Sequence, residues 1–295
     1  MEDFRLRVFL TAAREKSFSK AGKILYISQP AISRHIRELE ASLGFPLFRR
    51  LGNKITLTRQ GEIYYQQAKK VEIAYQNLAM VSSDLNHSPQ ATLRLGASTT
   101  IAQYLLPQHL ALYLNRYPGI TCFLTNGNTE EIEHLLQNDK IDLGLVEGAH
   151  HLPGLTYTSF REDKLQVICH SSLQDKFPKE LSIEQIADFP LVLREHGSGT
   201  LEVFVRWLNN KGYHLSDMRV VMHLGSSESI KRFLRHHPAL AIISHEAVKE
   251  ELTRNELVAI PLNENPISRK FNIVHAEGPT QGIVKNFIRY LMHVE

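Results

Sequence analysis

Within SQPAISRHIRELEASLG, residues 28–44, Gln29, Ser33 and Arg37 recur every four positions and Arg34 stands beside Ser33, so the four side chains share one face of a helix. These types hydrogen-bond base edges and phosphates in a DNA major groove: glutamine pairs with adenine and arginine with guanine. Ser28 and Pro30 complete the set, Ser28 as helix cap and Pro30 as an apolar surface for a thymine methyl. Arg49, Arg50 and Lys54 follow on a stretch whose apolar runs flank Gly52 and Asn53, a layout that holds phosphates beside the groove.

A second group of residues is hydroxyl-rich. Ser98, Thr99 and Thr100, then Ser198, Gly199 and Thr200 after Gly197, then Ser226 before Ser227 and Ser229, each stand where an apolar strand-like run meets a helix. Free backbone N–H groups and the helix dipole make such points favourable to anions, although serine and threonine are also ordinary helix caps. Glu147, ending IDLGLVEG, stands near the same ends. A carboxylate there repels an anion unless screened, so it points instead to an amine or hydroxyl ligand, or lies outside the pocket.

Catalytic and metal chemistry find no comparable support. The fifteen histidines include the pairs His150–His151 and His236–His237, but neighbouring side chains diverge and no cysteine or carboxylate joins them at ligand spacing. GSGT lacks the lysine and length of a phosphate loop, and neither a nucleophile elbow nor a dinucleotide fingerprint occurs. The reading is therefore of no enzyme, no cofactor and no metal.

The elements that must position these residues follow from periodicity. Phe4–Arg14 predicts a helix with Phe4, Val8, Phe9 and Ala12 inward; Ser19–Tyr26 a second with Ala21, Ile24 and Leu25 inward. A short connection then leads to the Ser28-capped helix, with Ile32, Ile36, Leu39 and Leu43 at helical spacing and Gly44 as its stop. FPLFRRLGNKITLT reads as a β-hairpin, the wing of a winged helix. From Thr58 to Asn86 one long helix is expected, with Tyr64, Ala68, Val71, Tyr75, Leu78, Ser82 and Leu85 forming a heptad seam suited to dimerisation. His87–Gln90 break it. Beyond lie alternating strands and helices, which imply two α/β lobes of parallel sheet, with Phe160–Leu165 and Leu262–Phe271 carrying the chain across and back.

Charge agrees with this division. Residues 1–60 hold 12 lysines and arginines against 5 acids, and residues 61–295 hold 22 against 26. A basic unit on a mildly acidic body is the layout of a nucleic-acid reader joined to something else. The two cysteines, Cys122 and Cys169, sit in apolar runs and are expected as buried, reduced thiols. No apolar stretch is long enough for a membrane span, and MEDFRLRVF is unlike a signal peptide, so the expected location is cytoplasmic, with no membrane partner.

SQPAIS, IRELEASLG, LFRR at Leu47–Arg50 and LTRQG at Leu57–Gly61 together resemble the DNA-binding domain of LysR-type transcriptional regulators, and the order of parts resembles that family throughout. Gly22, where the family commonly has alanine, and RHHPALAIIS, where it commonly has glycines, depart from the pattern. The resemblance implies an α+β multi-domain chain: a winged helix-turn-helix over 1–58, a linker helix over 59–88, and a two-lobed α/β effector-binding domain, periplasmic-binding-protein-like, over 89–295. Lobe I is expected at about 91–161 and 268–295, lobe II at about 162–267. It further implies base contacts from Gln29, Pro30, Ser33 and Arg34, backbone contacts from Arg49, Arg50 and Lys54, and an effector, often a carboxylate or inorganic oxyanion, between the lobes. The implied partners are double-stranded DNA with an interrupted inverted repeat, further copies of the dimerising chain up to a tetramer, and RNA polymerase. A solute-binding protein or an α/β enzyme with a DNA-binding appendage are the rival classes; the first would need an export signal and no winged helix, the second a nucleophile or metal cluster.

Overall fold

The computed structural model describes residues 3–51, 54–86, 91–148 and 151–293, leaving aside the side chains of Arg50, Leu51, Lys54, Ile73 and residues 76–86. Two compact units emerge, Met1–Ala91 with Thr280–Asn286, and Thr92–Pro279 with Phe287–Glu295.

The first unit opens with α1 (Phe4–Glu15), α2 (Phe18–Leu25) and α3 (Gln29–Leu43), followed by the antiparallel pair β1 (Phe48–Leu51) and β2 (Lys54–Leu57) and by α4 (Arg59–Asn86). Caps explain the boundaries. Asp3, Ser17 and Ser28 each accept from a backbone N–H of the helix they precede, and Gly44, with φ 77°, ends α3 in the left-handed region that favours glycine. Val8, Phe9, Ala12, Ala21, Leu25, Ile32, Ile36 and Leu39 form one core with Leu47, Ile55, Tyr65 and Ala68. Two inward expectations fail: Phe4 is exposed, and Ile24 is half exposed because α2 is only eight residues long and Ala21 and Leu25 already fill its buried side. Glu40 accepts from the N–H groups of Leu47 (2.7 Å) and Phe48 (3.1 Å), tying α3 to the start of the wing. The expected wing turn, Gly52 and Asn53, and the expected break at His87–Gln90 lie outside the described residues.

Helix α4 begins inside this core. Tyr64 meets Phe9 at 5.3 Å between ring centroids, Ala68 is buried, and Arg14 pairs with Glu72, so the first positions of the heptad seam pack on their own unit. Val71 is exposed and Tyr75 half-buried; the side chains of Leu78, Ser82 and Leu85 are outside the described set.

The second unit runs β3 (Ala91–Ser98), a π-helical turn (Ile101–Leu105), α5 (Leu106–Arg116), β4 (Ile120–Gly127), α6 (Thr129–Gln137), β5 (Leu143–Glu147), β6 (Leu155–His170), α7 (Ile183–Asp188), β7 (Leu191–Arg194), α8 (Gly199–Asn210), β8 (Val220–Leu224), α9 (Ser227–Leu234), β9 (Leu240–Ser244), α10 (His245–Thr253), β10 (Leu257–Ile260), β11 (Ile267–Ala276) and the part of α11 (Gly282–His293) from Phe287 on. Among the described residues its strands join one sheet in the order β4-β3-β5-β11-β6-β9-β7-β8, with β10 also on β6. The sheet is mixed rather than parallel. β3–β5, β7–β8 and β7–β9 run parallel, whereas β11 runs antiparallel to β5 and β6, and β6 to β9 and β10. The reason is that the two crossing segments are themselves long strands: β6 spans sixteen residues and pairs with β11 along its first part and with β9 and β10 along its last. The lobes, β3–β5 on one side and β7–β10 on the other, are thus halves of a single compact unit. A register shift between Phe271 and Asn272, opposite Arg161 and Ser159, marks the crossing.

Leu191, Leu193, Leu201, Phe204, Leu208, Leu240 and Ile242 fill one face of the second lobe, and Ile168, Val192, Ile230, Leu234, Ala241 and Val248 the other. Cys169 is fully buried, and burial pushes its thiol up to about 11; Cys122 is only half-buried, although it shares the less exposed face of β4, because β4 is an edge strand of the sheet. No helix among the described residues is long and apolar enough to cross a membrane.

Candidate DNA interface and effector site

The outward face of α3 carries the residues that spacing selected. Gln29, Pro30, Arg34 and Arg37 are exposed, and Ser33 is half-buried between them. Gln29 Nε2 donates to Ser33 Oγ at 3.0 Å, Arg37 Nε donates to the Ser33 carbonyl at 3.3 Å, and Arg34 pairs with Glu38 at 3.2 Å. These are surface contacts within one helix, and they are readily exchanged for base edges or phosphates. Ser28 accepts from the Ala31 N–H at 3.3 Å, so its hydroxyl holds the helix start. Arg49, on β1, donates to Thr56 Oγ1 at 3.1 Å across the hairpin. Arg50 and Lys54 lie on the same two strands, with side chains outside the described set. Spacing did not select Tyr26, which is 95% exposed with φ 56° at the turn between α2 and α3. A bulky residue at that turn was its only sequence-level trace, and the left-handed conformation is revealed by the structure alone.

In the second unit, five of the eight selected positions meet at one buried point. Glu147, 1% exposed, accepts from Ser98 Oγ, from Thr100 Oγ1 at 3.2 Å and from Arg269 Nη1 at 3.3 Å. Arg269 Nη1 also donates to Thr200 Oγ1 at 2.9 Å, and Arg269 Nε pairs with Asp163 Oδ2 at 2.7 Å. Ser244 Oγ donates to the second Asp163 oxygen at 2.9 Å. Gly199 opens α8 against the Glu147 main chain, where a Cβ would stand 2.1 Å from the carbonyl oxygen; only glycine permits that approach. Thr129 Oγ1 donates to the same carbonyl at 2.8 Å. Removing one partner of such a buried pair leaves an uncompensated charge, at a cost of about 3–5 kcal/mol.

Three selected residues stand apart. Thr99 Oγ1 donates to the Gly127 carbonyl at 3.3 Å, Ser198 caps α8 through the Thr200 N–H at 3.3 Å, and Ser226 caps α9 through the Ser229 N–H at 3.1 Å. Glu147 lies inside the cluster, and a cation screens it. Periodicity missed Arg269, Asp163 and Ser244, although a signal existed. Ile267, Arg269 and Phe271 alternate as buried residues on β11, and Asp163, Leu165 and Val167 on β6, so each charge occupies an inward position of a strand.

Beside this cluster opens a cavity of about 780 Å³ between α6 and α8, bordered by Thr129, Glu130, Glu133, His196, Ser198 and Glu202. Tyr104, in the π-helical turn, donates to Glu228 of α9 at 2.7 Å, and Arg161 pairs with Glu246 of α10 at 2.8 Å, so further contacts hold the lobes together. Burial and the Glu228 carboxylate push the Tyr104 hydroxyl far above its ordinary range. Lys231, 6% exposed, pairs with Glu251 at 2.6 Å and with Glu228, and caps the Tyr104 ring at 5.0 Å.

Residues 4–62 match the bacterial regulatory helix-turn-helix protein, lysR family, and residues 86–294 match the LysR substrate binding domain. The HTH-type transcriptional regulator CysL of Bacillus subtilis is 30% identical over 271 residues, covering 92% of this chain and 90% of that protein. The regulatory domain of CcmR from Synechocystis PCC6803, solved in complex with 2-PG, superimposes with a TM-score of 0.61 at 31% identity, covering 68% of this chain and 95% of that one. A full-length OxyR variant from Pseudomonas aeruginosa, 20% identical, shares the fold with a TM-score of 0.71 over 98% of this chain and 95% of its own. With a helix-turn-helix presenting Gln29, Arg34 and Arg37 outward, and a substrate-binding domain after it in the chain, this protein belongs to the LysR family of DNA-binding transcriptional regulators, whose relatives are regulators rather than enzymes.

Proposed function

We propose that this regulator reads an interrupted inverted repeat through α3 of two copies, and that a small anion bound between the lobes changes how it holds or bends promoter DNA, with RNA polymerase as the machinery affected. The observation that carries the reading is the exposed ridge Gln29–Pro30–Ser33–Arg34–Arg37 on a capped helix, with Arg49 beside it and Arg50 and Lys54 on the same hairpin. Domain limits of 1–58, 59–88 and 89–295 belong to this proposal. So do a lobe I of about 91–161 and 268–295 and a lobe II of about 162–267, supported by the register shift between Phe271 and Asn272.

For the effector, Ser98, Thr100, Thr200 and Arg269 offer the donors that a carboxylate or inorganic oxyanion requires. Thr99, Ser198, Gly199 and Ser226 complete the proposed site, and Glu147 is treated below. The relative CcmR was solved with 2-PG, which favours an anion here too. Self-association through α4 is supported by the exposed Val71 on its seam. A second contact, pairing dimers into tetramers, is supported by exposed Leu112 and Phe123 on α5 and edge strand β4, and by Val221 and Met222 on the opposite edge strand β8.

Footprinting on the DNA upstream of the chain's own gene and the neighbouring one, with and without small anions, tests the reading. Protection of an inverted repeat, altered by an anion, is the expected result. No protected site, or protection that responds only to cations or neutral molecules, overturns it.

A further inference from the structure

We propose that Glu147 is a tethered ligand of the inter-lobe anion site, its carboxylate holding the place of the effector's own, so that an anionic effector acts by exchange with it. This rests on the reading of the cleft as the effector site. The two oxygens of Glu147 are bound as a free carboxylate would be: one by Ser98 Oγ, the other by Thr100 Oγ1 at 3.2 Å and Arg269 Nη1 at 3.3 Å. No other side chain is needed to explain a carboxylate site at the end of β3, and the chain supplies that carboxylate from the end of the neighbouring β5.

Simple addition of an anion is disfavoured by charge. Arg269 already faces Glu147 and Asp163, both almost fully buried, and a third negative group on one guanidinium would have no compensating cation among the residues of the cluster. Exchange removes that conflict. Arg269 Nη2 is buried and has no hydrogen-bond partner among the described residues, which leaves one more donor for a ligand with a further oxygen. The Glu147 main chain is pinned by Thr129 and by the close approach of Gly199. Rotation of the side chain about that pinned backbone would release Arg269, which also holds Thr200 of α8. Occupancy of the site is thereby linked to the fit between lobes.

The test uses the full chain as wild type, Glu147→Gln and Glu147→Ala, with sodium acetate as probe and sodium chloride at equal ionic strength as control. Acetate is expected to bind Glu147→Ala at least about ten-fold more tightly than wild type, with Glu147→Gln between them. At ten times the dissociation constant it should raise the melting temperature of Glu147→Ala by about 3 °C or more. Equal acetate affinity in wild type and Glu147→Ala, or no melting shift in the variant, overturns the proposal. Should Glu147→Ala fold poorly in chloride, recovery of folded chain in acetate supports it, and failure in both salts overturns it. An anion that shifts the wild-type footprint with an affinity unchanged in both variants removes the tethered ligand but leaves the effector reading standing. Acetate rescue without any footprint-shifting anion does the reverse.

Discussion

Arg34 shows how far one residue can be read. Its place on the exposed ridge of α3 follows from spacing alone, and it pairs with Glu38 on the next turn, in a contact open to solvent. Arg34→Ala is expected to weaken binding to the specific site by about 1–3 kcal/mol while non-specific binding changes less. A titration against specific and scrambled duplexes checks this, and an unchanged ratio speaks against base contact. Glu147 shows the opposite case. Its residue type left open an amine ligand, a hydroxyl ligand or a place outside the pocket, because the cation that neutralises it, Arg269, is far away in sequence and reaches it only when β11 lies beside β5. Gly199→Ala tests the same contact sterically. With a Cβ 2.1 Å from the Glu147 carbonyl oxygen, the lobes must part or the backbone shift, at about 1–3 kcal/mol, seen as a lower melting temperature.

Among the elements, α3 and its cap were the most legible, since serine, proline at the first turn, apolar periodicity and a closing glycine agree with one another. Ser28→Ala should cost about 1 kcal/mol, measured by thermal unfolding, and should also lower DNA affinity through a frayed α3 start. Glu40→Ala should cost about 1–3 kcal/mol and disturb the wing first, because the N–H groups of Leu47 and Phe48 lose their acceptor inside a part-buried site. Protection of those two amides in hydrogen exchange reads the effect directly. Shorter or less periodic elements were not legible. α7 and β10 gave no signal, being six and four residues long, and Phe160–Leu165 of β6 was legible only as a crossing segment, because REDK breaks the apolar pattern there. The π-helical turn at Ile101–Leu105 has the same apolar spacing as the α-helix it leads into, so sequence cannot separate them.

At the scale of the second unit, titration should set the acid limit of stability. Burial, followed by the charge of Arg161, lowers His109 from its ordinary 6.5. Burial raises Glu228 and Glu246, yet it is outweighed: Lys231, Tyr104 and Arg232 act on the first, Lys249, Arg161 and His245 on the second, and both carboxyls end below 4.5. Each group has a folded value below its unfolded one, so the folded state binds fewer protons and stability falls as pH falls. The loss should begin below about pH 6.5 with His109 and deepen below about 4.5 with the two glutamates, whose protonation also weakens their contacts with Arg161 and Tyr104 between the lobes. Melting temperatures across about pH 3–8 check this, and His109→Gln should remove the upper step alone.

What the sequence determined by itself is local: the capped recognition helix, the basic unit ahead of an acidic body, the family pattern from SQPAIS to LTRQG, and the hydroxyls that end strands. Each depends on residues a few positions apart, where side-chain type and backbone period act together. What only the tertiary structure decided is which distant groups share a buried site. Ser98, Glu147, Asp163, Thr200, Ser244 and Arg269 come from six separate segments, and their charges are tolerable only together, since burial makes an isolated ion costly and a paired one acceptable. Crossing strands β6 and β11 bring Asp163 and Arg269 to the point where β5 ends, and that assembly gives a glutamate with no evident role in the sequence its buried partners.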